Sequence, residues 1–221
     1  RFNRIETVLK MEESGFVPVF YHSGLEFCKR VLLASYNGGA RAFEFTNRGE
    51  RAHEIFRELT IFSAENTPDM ILGVGSIVEP ATAGLYIQLG ANFIVSPIVN
   101  EEVARTCNRR KVAWVPGCGT VSEISYAEEL GAEIVKVFPA SEVGGPSFIK
   151  AVRGPMPWTR IMPTGGVDTT RENLESWFSA GASCVGIGST LFNEVINNQD
   201  FEMFQNKVKS VADIIELIRR N

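Results

Sequence analysis

The chain has 221 residues, with 22 Lys and Arg against 26 Asp and Glu for a net charge of −4. An acidic chain without a Lys/Arg cluster is a poor coat for nucleic acid or an anionic membrane, and no apolar run approaches the ~18 residues of a bilayer span. The four cysteines (Cys28, Cys107, Cys118, Cys184) form no CxxC pair, and His22 and His53 are the only histidines, so reduced thiols and no metal site are expected.

The first residues (Arg1, Arg4, Glu6, Lys10, Glu12, Glu13) form a charged amphipathic stretch, read as an extra N-terminal helix and not as the apolar core of a secretory signal. Short apolar runs then alternate with helical patterns. Strand Phe16–Phe20 precedes helix Leu25–Tyr36, Ala40–Thr46 precedes Glu50–Phe62, and Met70–Gly73 precedes Pro80–Leu89. Asn92–Ser96 is followed by Glu101–Arg110, and Val112–Val115 by Val121–Leu130. The last three pairs are Glu133–Phe138 with Pro146–Val152, Arg160–Pro163 with Thr169–Ser179, and Ser183–Ile187 with Phe201–Arg220. Gly-Ala recurs at Gly39, Gly90, Gly131 and Gly181, each where a helix gives way to an even-numbered strand. Gly-x-Gly-[Ser/Thr] follows strands at Gly73, Gly117 and Gly186. A doubly wound open sheet would want a dinucleotide fingerprint, and none of these turns has a third glycine three residues on. One (β/α)8 barrel over residues 1–221, with the extra N-terminal helix, is the expected fold.

A barrel puts its chemistry at the C-terminal ends of the strands. Lys136 lies inside the apolar run Glu133–Phe138, where alternation sends Val135 and Val137 to the helices and turns Ile134, Lys136 and Phe138 to the other face. Burial disfavours an ammonium, which suits a lysine that attacks carbonyls to form a Schiff base; a lysine in a buried ion pair fits the residue equally well. Glu44 repeats the pattern, because Phe43 and Phe45 share one face while Ala42, Glu44 and Thr46 share the other. The two charged groups read either as a structural salt bridge or as an amine with its proton shuttle. Arg48, four residues on, is placed to clamp a carboxylate, although an ordinary solvated arginine is the default reading of such a loop. Thr164-Gly165-Gly166 and Gly188-Ser189 follow strands seven and eight, where glycine turns leading into helices cradle phosphate in many barrels.

Taken in order, Glu44-Phe-Thr-Asn-Arg48, Val115-Pro-Gly117, Val121-Ser-Glu123, Val135-Lys-Val-Phe-Pro-Ala140 and Pro163-Thr-Gly-Gly166, with Val17-Pro-Val19 before them, resemble the 2-keto-3-deoxy-6-phosphogluconate (KDPG) aldolase / 4-hydroxy-2-oxoglutarate (KHG) aldolase family. The resemblance runs from Ile5 to the final helix. It implies a cytoplasmic class I aldolase, a metal-free (β/α)8 homotrimer that needs no cofactor and acts on a small 2-keto acid. It implies Lys136 as the Schiff-base lysine and Glu44 as the general acid/base. Arg48, Ser76, Pro97, Thr164 and Phe138 would line the pyruvate end, and Gly165, Gly166, Gly188 and Ser189 would hold phosphate. The implied reaction is cleavage of KDPG to pyruvate and glyceraldehyde 3-phosphate, with 4-hydroxy-2-oxoglutarate as a further substrate. Ser76 stands where many members have Thr, Thr190 where some have Trp, and Tyr21-His22 where aliphatic residues are common; all three bear on the aldehyde half. The galactonate epimer, an unphosphorylated substrate, and a non-catalytic phosphosugar-binding barrel are the alternatives.

Overall fold

The computed structural model describes residues 2–220; Arg1 of the charged N-terminal stretch and Asn221 lie outside them. Helix α1 (Arg4–Ser14) opens with a reciprocal cap, in which the Asn3 side chain accepts from the Glu6 N–H at 3.0 Å and the Glu6 carboxylate accepts from the Asn3 N–H at 2.8 Å. Strands and helices then alternate: β1 (Phe16–Phe20), α2 (Leu25–Asn37), β2 (Ala42–Thr46), α3 (Ala52–Asn66), β3 (Ile71–Gly75), α4 (Pro80–Gln88), β4 (Phe93–Val95) and α5 (Glu101–Arg110). The second half holds β5 (Ala113–Val115), β6 (Gly117–Cys118), α6 (Val121–Glu129), β7 (Val135–Val137), α7 (Gly145–Arg153), β8 (Ile161–Pro163), α8 (Arg171–Ser179), β9 (Val185–Ile187), α9 (Ser189–Asn198) and α10 (Phe201–Arg220). The four Gly-Ala glycines sit one residue past the caps of α2, α4, α6 and α8, at φ between 90° and 104°, the left-handed conformation that ends a helix and re-aims the chain.

Every ladder is parallel. Six strands pair in the order β5-β4-β3-β2-β1-β9, and three in the order β6-β7-β8. A single bridge, Thr164 to Gly186, links the end of β8 to β9. Only Pro116 separates β5 from β6. On one side the Val115 carbonyl accepts from Ser96 N–H at 3.1 Å, and on the other the Pro116 carbonyl accepts from Lys136 N–H at 2.8 Å. The architecture is thus an α/β fold with a curled parallel sheet, a half-barrel by continuous ladder, wrapped in helices.

Two apolar layers follow from strand alternation. Phe43, Phe45, Val74, Trp114, Val135 and Val137 are buried between strands and helices, which for Phe43, Phe45, Val135 and Val137 is what strand alternation predicts. Val17, Ala42, Ile71, Phe93, Val115, Ile134 and Met162 form a second cluster inside the curl, joined by Val8 and Met11 of α1. That helix therefore covers the N-terminal end of the sheet, opposite the end where chemistry is expected. Arg4 fastens it there, meeting Glu133 at 2.7 and 3.0 Å, Asn108 at 2.6 Å and the Gly131 carbonyl.

Two elements differ from expectation. Helix α9 was not anticipated, because Thr190, Asn193, Asn197 and Asn198 are poor helix formers and mask the spacing of Leu191, Phe192 and Val195, its buried face. The expected strand Val112–Val115 ends where expected as β5, but a further short strand, β6, follows directly after Pro116, whose missing N–H cannot continue a ladder.

Candidate active site

At the C-terminal ends of the strands lies a cavity of about 420 Å³. All eleven residues singled out in the sequence line it: Glu44, Arg48, Ser76, Pro97, Lys136, Phe138, Thr164, Gly165, Gly166, Gly188 and Ser189. A cavity of similar size, about 450 Å³, lies at Thr60, Ser63, Thr67 and Asn92, but its lining holds no charged side chain and offers no acid, base or nucleophile.

Glu44 is centred on β2, paired in register with Val19 of β1 and Gly73 of β3, and only 1% exposed. Room for its carboxyl comes from Gly75, where any Cβ would overlap Oε1. Lys136 is centred on β7 between Gly117 and Met162 and is 6% exposed. Its Nζ stands 3.9 Å from Glu44 Oε1 and 5.1 Å from the centre of the Phe138 ring. The carboxylate gap is too long for a hydrogen bond. Glu44 Oε2 and Thr164 Oγ1 are buried without a partner, a costly condition for polar groups with no task.

Magnitudes explain the state of Glu44. Attraction across a gap near 4 Å is worth ~4 kcal/mol at an effective dielectric of 20, while taking a carboxylate out of water costs several kcal/mol. Burial wins and raises the Glu44 pKa above the ordinary carboxylate value, with Lys136 and then Arg48 pulling against it. A carboxyl so poised exchanges a proton far more readily near neutrality than a solvated one. Burial also pushes all four cysteine thiols up to about 12, so no thiolate competes as nucleophile.

The glycine turns mark the cavity's other end. Gly165 and Gly166 adopt φ of 92° and 82°, and their turn leads toward α8. The N-terminus of α8 is occupied by its own residues: Thr170 accepts from the Asn173 N–H, and Asp168 Oδ1 accepts from the Thr170 N–H and hydroxyl at 2.7 Å each. Helix α9 is different. Its N-cap is Gly188, with no side chain to cap it; the Leu191 N–H turns back to the Gly188 carbonyl at 3.0 Å, and Ser189 and Thr190 of its first turn line the cavity.

Four lining residues were not singled out as site residues: Val19, Val167, Asp168 and Thr190. Alternation with Val17 would have turned Val19 inward. Asp168 follows the Gly-Gly turn by two residues and could have been flagged as a carboxylate at an anion site. Thr190 belongs to the unanticipated α9, and its hydroxyl donates to the Val167 carbonyl at 3.1 Å. Ser76 holds φ 63°, a left-handed conformation uncommon outside glycine and often found at working sites.

Residues 5–207 match the family described as KDPG and KHG aldolase. The chain belongs to that family. This aldolase is accordingly a lyase. It is 33% identical over 219 residues to the 2-dehydro-3-deoxy-phosphogluconate aldolase of Pseudomonas aeruginosa, covering 99% of this chain and 96% of that one. It is 35% identical over 123 residues to the 2-dehydro-3-deoxy-6-phosphogalactonate aldolase of Escherichia coli, 55% of this chain and 58% of that one. Among solved structures, the KDPG aldolase of Legionella pneumophila, with pyruvate captured at low pH as a covalent carbinolamine intermediate, superposes with a TM-score of 0.83 at 27% identity, covering 91% of this aldolase and 96% of that chain. Among the described residues of the aldolase, no helix is long and apolar enough to cross a membrane, and no group of three or more His, Cys, Asp or Glu converges as metal ligands.

Proposed function

We propose that this aldolase cleaves KDPG to pyruvate and glyceraldehyde 3-phosphate through an imine on Lys136. The observation that carries the reading is a buried amine 3.9 Å from a buried carboxyl, both lining a cavity that Arg48 and the glycine turn at 165–166 also line. The Lys136 amine attacks the keto carbon, and loss of water from the carbinolamine leaves an iminium. Glu44 takes the proton of the C4 hydroxyl, the C3–C4 bond breaks, and its electron pair passes to the iminium nitrogen to give an enamine while the aldehyde leaves. Glu44 returns its proton to C3, and water hydrolyses the resulting iminium to pyruvate and free amine. Arg48 would orient the substrate carboxylate, with Thr164 Oγ1 beside it as an unspent hydrogen-bonding group. The glycine turn at 165–166 and the first turn of α9 would take the phosphate. The cycle needs no metal or cofactor.

One test is incubation with pyruvate, borohydride reduction and peptide mass spectrometry. An adduct on Lys136 that vanishes in Lys136→Ala is expected; no adduct, or one that persists in that variant, overturns the reading.

Asp168 favours a second substrate. A carboxylate lining the distal end opposes a phosphate dianion more than the singly charged distal carboxylate of 4-hydroxy-2-oxoglutarate, and so leans toward that unphosphorylated substrate, cleaved to pyruvate and glyoxylate by the same steps. Comparing kcat/KM for the two substrates decides between them. The KDPG reading expects the phosphorylated substrate to be preferred, and the galactonate epimer is run alongside.

We further propose that the sheet closes as a (β/α)8 barrel in which β5 and β6 act as one strand bent at Pro116, a reading supported by the hydrogen bonds on both sides of that bend and by the Thr164–Gly186 bridge. The homotrimer implied by the resemblance is carried as a proposal, tested by light scattering against the 24.4 kDa of one chain.

A further inference from the structure

Arg48 is exposed on one side and carries its charge into the cavity from the short connection between β2 and α3. A long side chain on a loop wastes binding free energy unless the loop is held, because each disordered rotamer-rich residue must be ordered when ligand arrives. Backbone bonds hold this loop at its start: Asn47 N–H donates to the Gly75 carbonyl and Arg48 N–H to the Thr46 carbonyl, both at 2.9 Å. These bonds do not engage the Asn47 side chain or brace Gly49 from beneath.

Two tyrosines do. Tyr86 of α4 is fully buried, with its ring edge-on to Phe56 at 5.1 Å, and its hydroxyl donates to Asn47 Oδ1 at 2.8 Å. Burial, with Tyr21 nearby, pushes that phenol up to about 12, so it stays a hydrogen-bond donor across the working pH range. Tyr21, just after β1, packs its ring 5.6 Å from Phe45 and sets its hydroxyl so close beneath Gly49 that a Cβ there would overlap it. The residues on either side of Arg48 are therefore each seated on a tyrosine, one by a hydrogen bond and one by contact.

We infer that Tyr86 and Tyr21 are positioning residues that fix the reach of Arg48 into the cavity and so set affinity for the carboxylate end shared by all substrates of this site. The inference rests on Arg48 as the carboxylate clamp. Neither tyrosine touches the reacting atoms.

The experiment measures KM and kcat for cleavage of KDPG and of 4-hydroxy-2-oxoglutarate by wild type, Tyr86→Phe, Asn47→Ala, Arg48→Ala and the Tyr86→Phe/Arg48→Ala double variant. Loss of one neutral hydrogen bond predicts a KM about fivefold higher for Tyr86→Phe, with kcat changed less than about twofold. The factor should be the same on both substrates, because they share only the pyruvate end. Asn47→Ala breaks the same bond from the loop side and should match it, which covers the case in which Tyr86→Phe folds poorly. In the Arg48→Ala background, Tyr86→Phe should raise KM no further. A raised KM in Arg48→Ala with wild-type KM in both Tyr86→Phe and Asn47→Ala overturns the inference and leaves the clamp standing. Effects that multiply in the double variant, or appear on one substrate only, overturn it too. A wild-type KM in Arg48→Ala overturns the clamp, and the inference with it.

Discussion

A carboxyl with one oxygen 3.9 Å from an ammonium and the other facing no partner is pulled two ways, and burial prevails. The sign for activity follows. Glu44 must be ionised to accept the C4 proton, so activity is lost as pH falls through its raised value, and the acid limb of kcat/KM should lie above the ordinary carboxylate range near 4.3. A limb at or below that value contradicts the assignment. For stability, the folded chain holds this proton more tightly than the unfolded chain does. The contribution of Glu44 is thus greatest below its unfolded pKa and declines as pH rises toward the folded one. Glu44→Gln should cut kcat by ~10²–10⁴ while KM changes little. At the distal end, Asp168→Asn keeps the oxygen that accepts from Thr170 but removes a charge. It should raise kcat/KM for the phosphorylated substrate by about two- to fivefold, the worth of a partly exposed charge interaction, and by less for the unphosphorylated one, whose distal carboxylate carries a single charge. Glu44 and Lys136 were legible because period-two alternation makes a charge on the inward face of an apolar strand conspicuous. Asp168 was not, since a carboxylate just before a helix reads as part of its entry turn, and it does hold the N-cap Thr170 there.

Among elements, α1 does its work at the end of the sheet away from the chemistry. Arg4 joins it to α5 through Asn108 and to the approach of β7 through Gly131 and Glu133, from a side chain that is only 15% exposed. Arg4→Ala leaves those acceptors unpaired and should cost about 1–3 kcal/mol, read as a lower Tm with kcat/KM nearly unchanged, because the cavity lies at the opposite end. A large loss of activity at full Tm contradicts this division of labour. Strands and most helices were readable because the two periodicities differ sharply. Helix α9 escaped because its Asn-rich exposed face lowers local propensity, while its buried Leu191, Phe192 and Val195 form only through packing against the sheet. The seat of Arg48 escaped as well, since Tyr21, Asn47 and Tyr86 are scattered along the chain and only the fold brings them beneath one loop.

At the scale of the molecule, the junction between the two ladders is a close backbone-to-backbone approach. Gly117 packs against the Pro97 backbone so closely that a Cβ would overlap its carbonyl, and backbone cannot step aside as a side chain can. Gly117→Ala should cost about 1–3 kcal/mol in chemical denaturation and should also lower activity, because Gly117 pairs with Lys136 and Pro97 lines the cavity. Unchanged stability in this variant speaks against the close approach. The alternation of strands with helices was legible from the sequence, whereas the split at Pro116 was not, since a proline after an apolar run signals an end and here marks a change of partner. The pairing of β1 with β9 has a consequence in time. Phe16, Val17 and Pro18 wait for Val185, Gly186 and Ile187, so during synthesis β1 has a free edge until those three residues have left the ribosome. Pairing of such long sequence separation forms late and slowly. Until then the nascent sheet is open to association with other chains, and a product ending before Val185 would retain that exposed edge permanently.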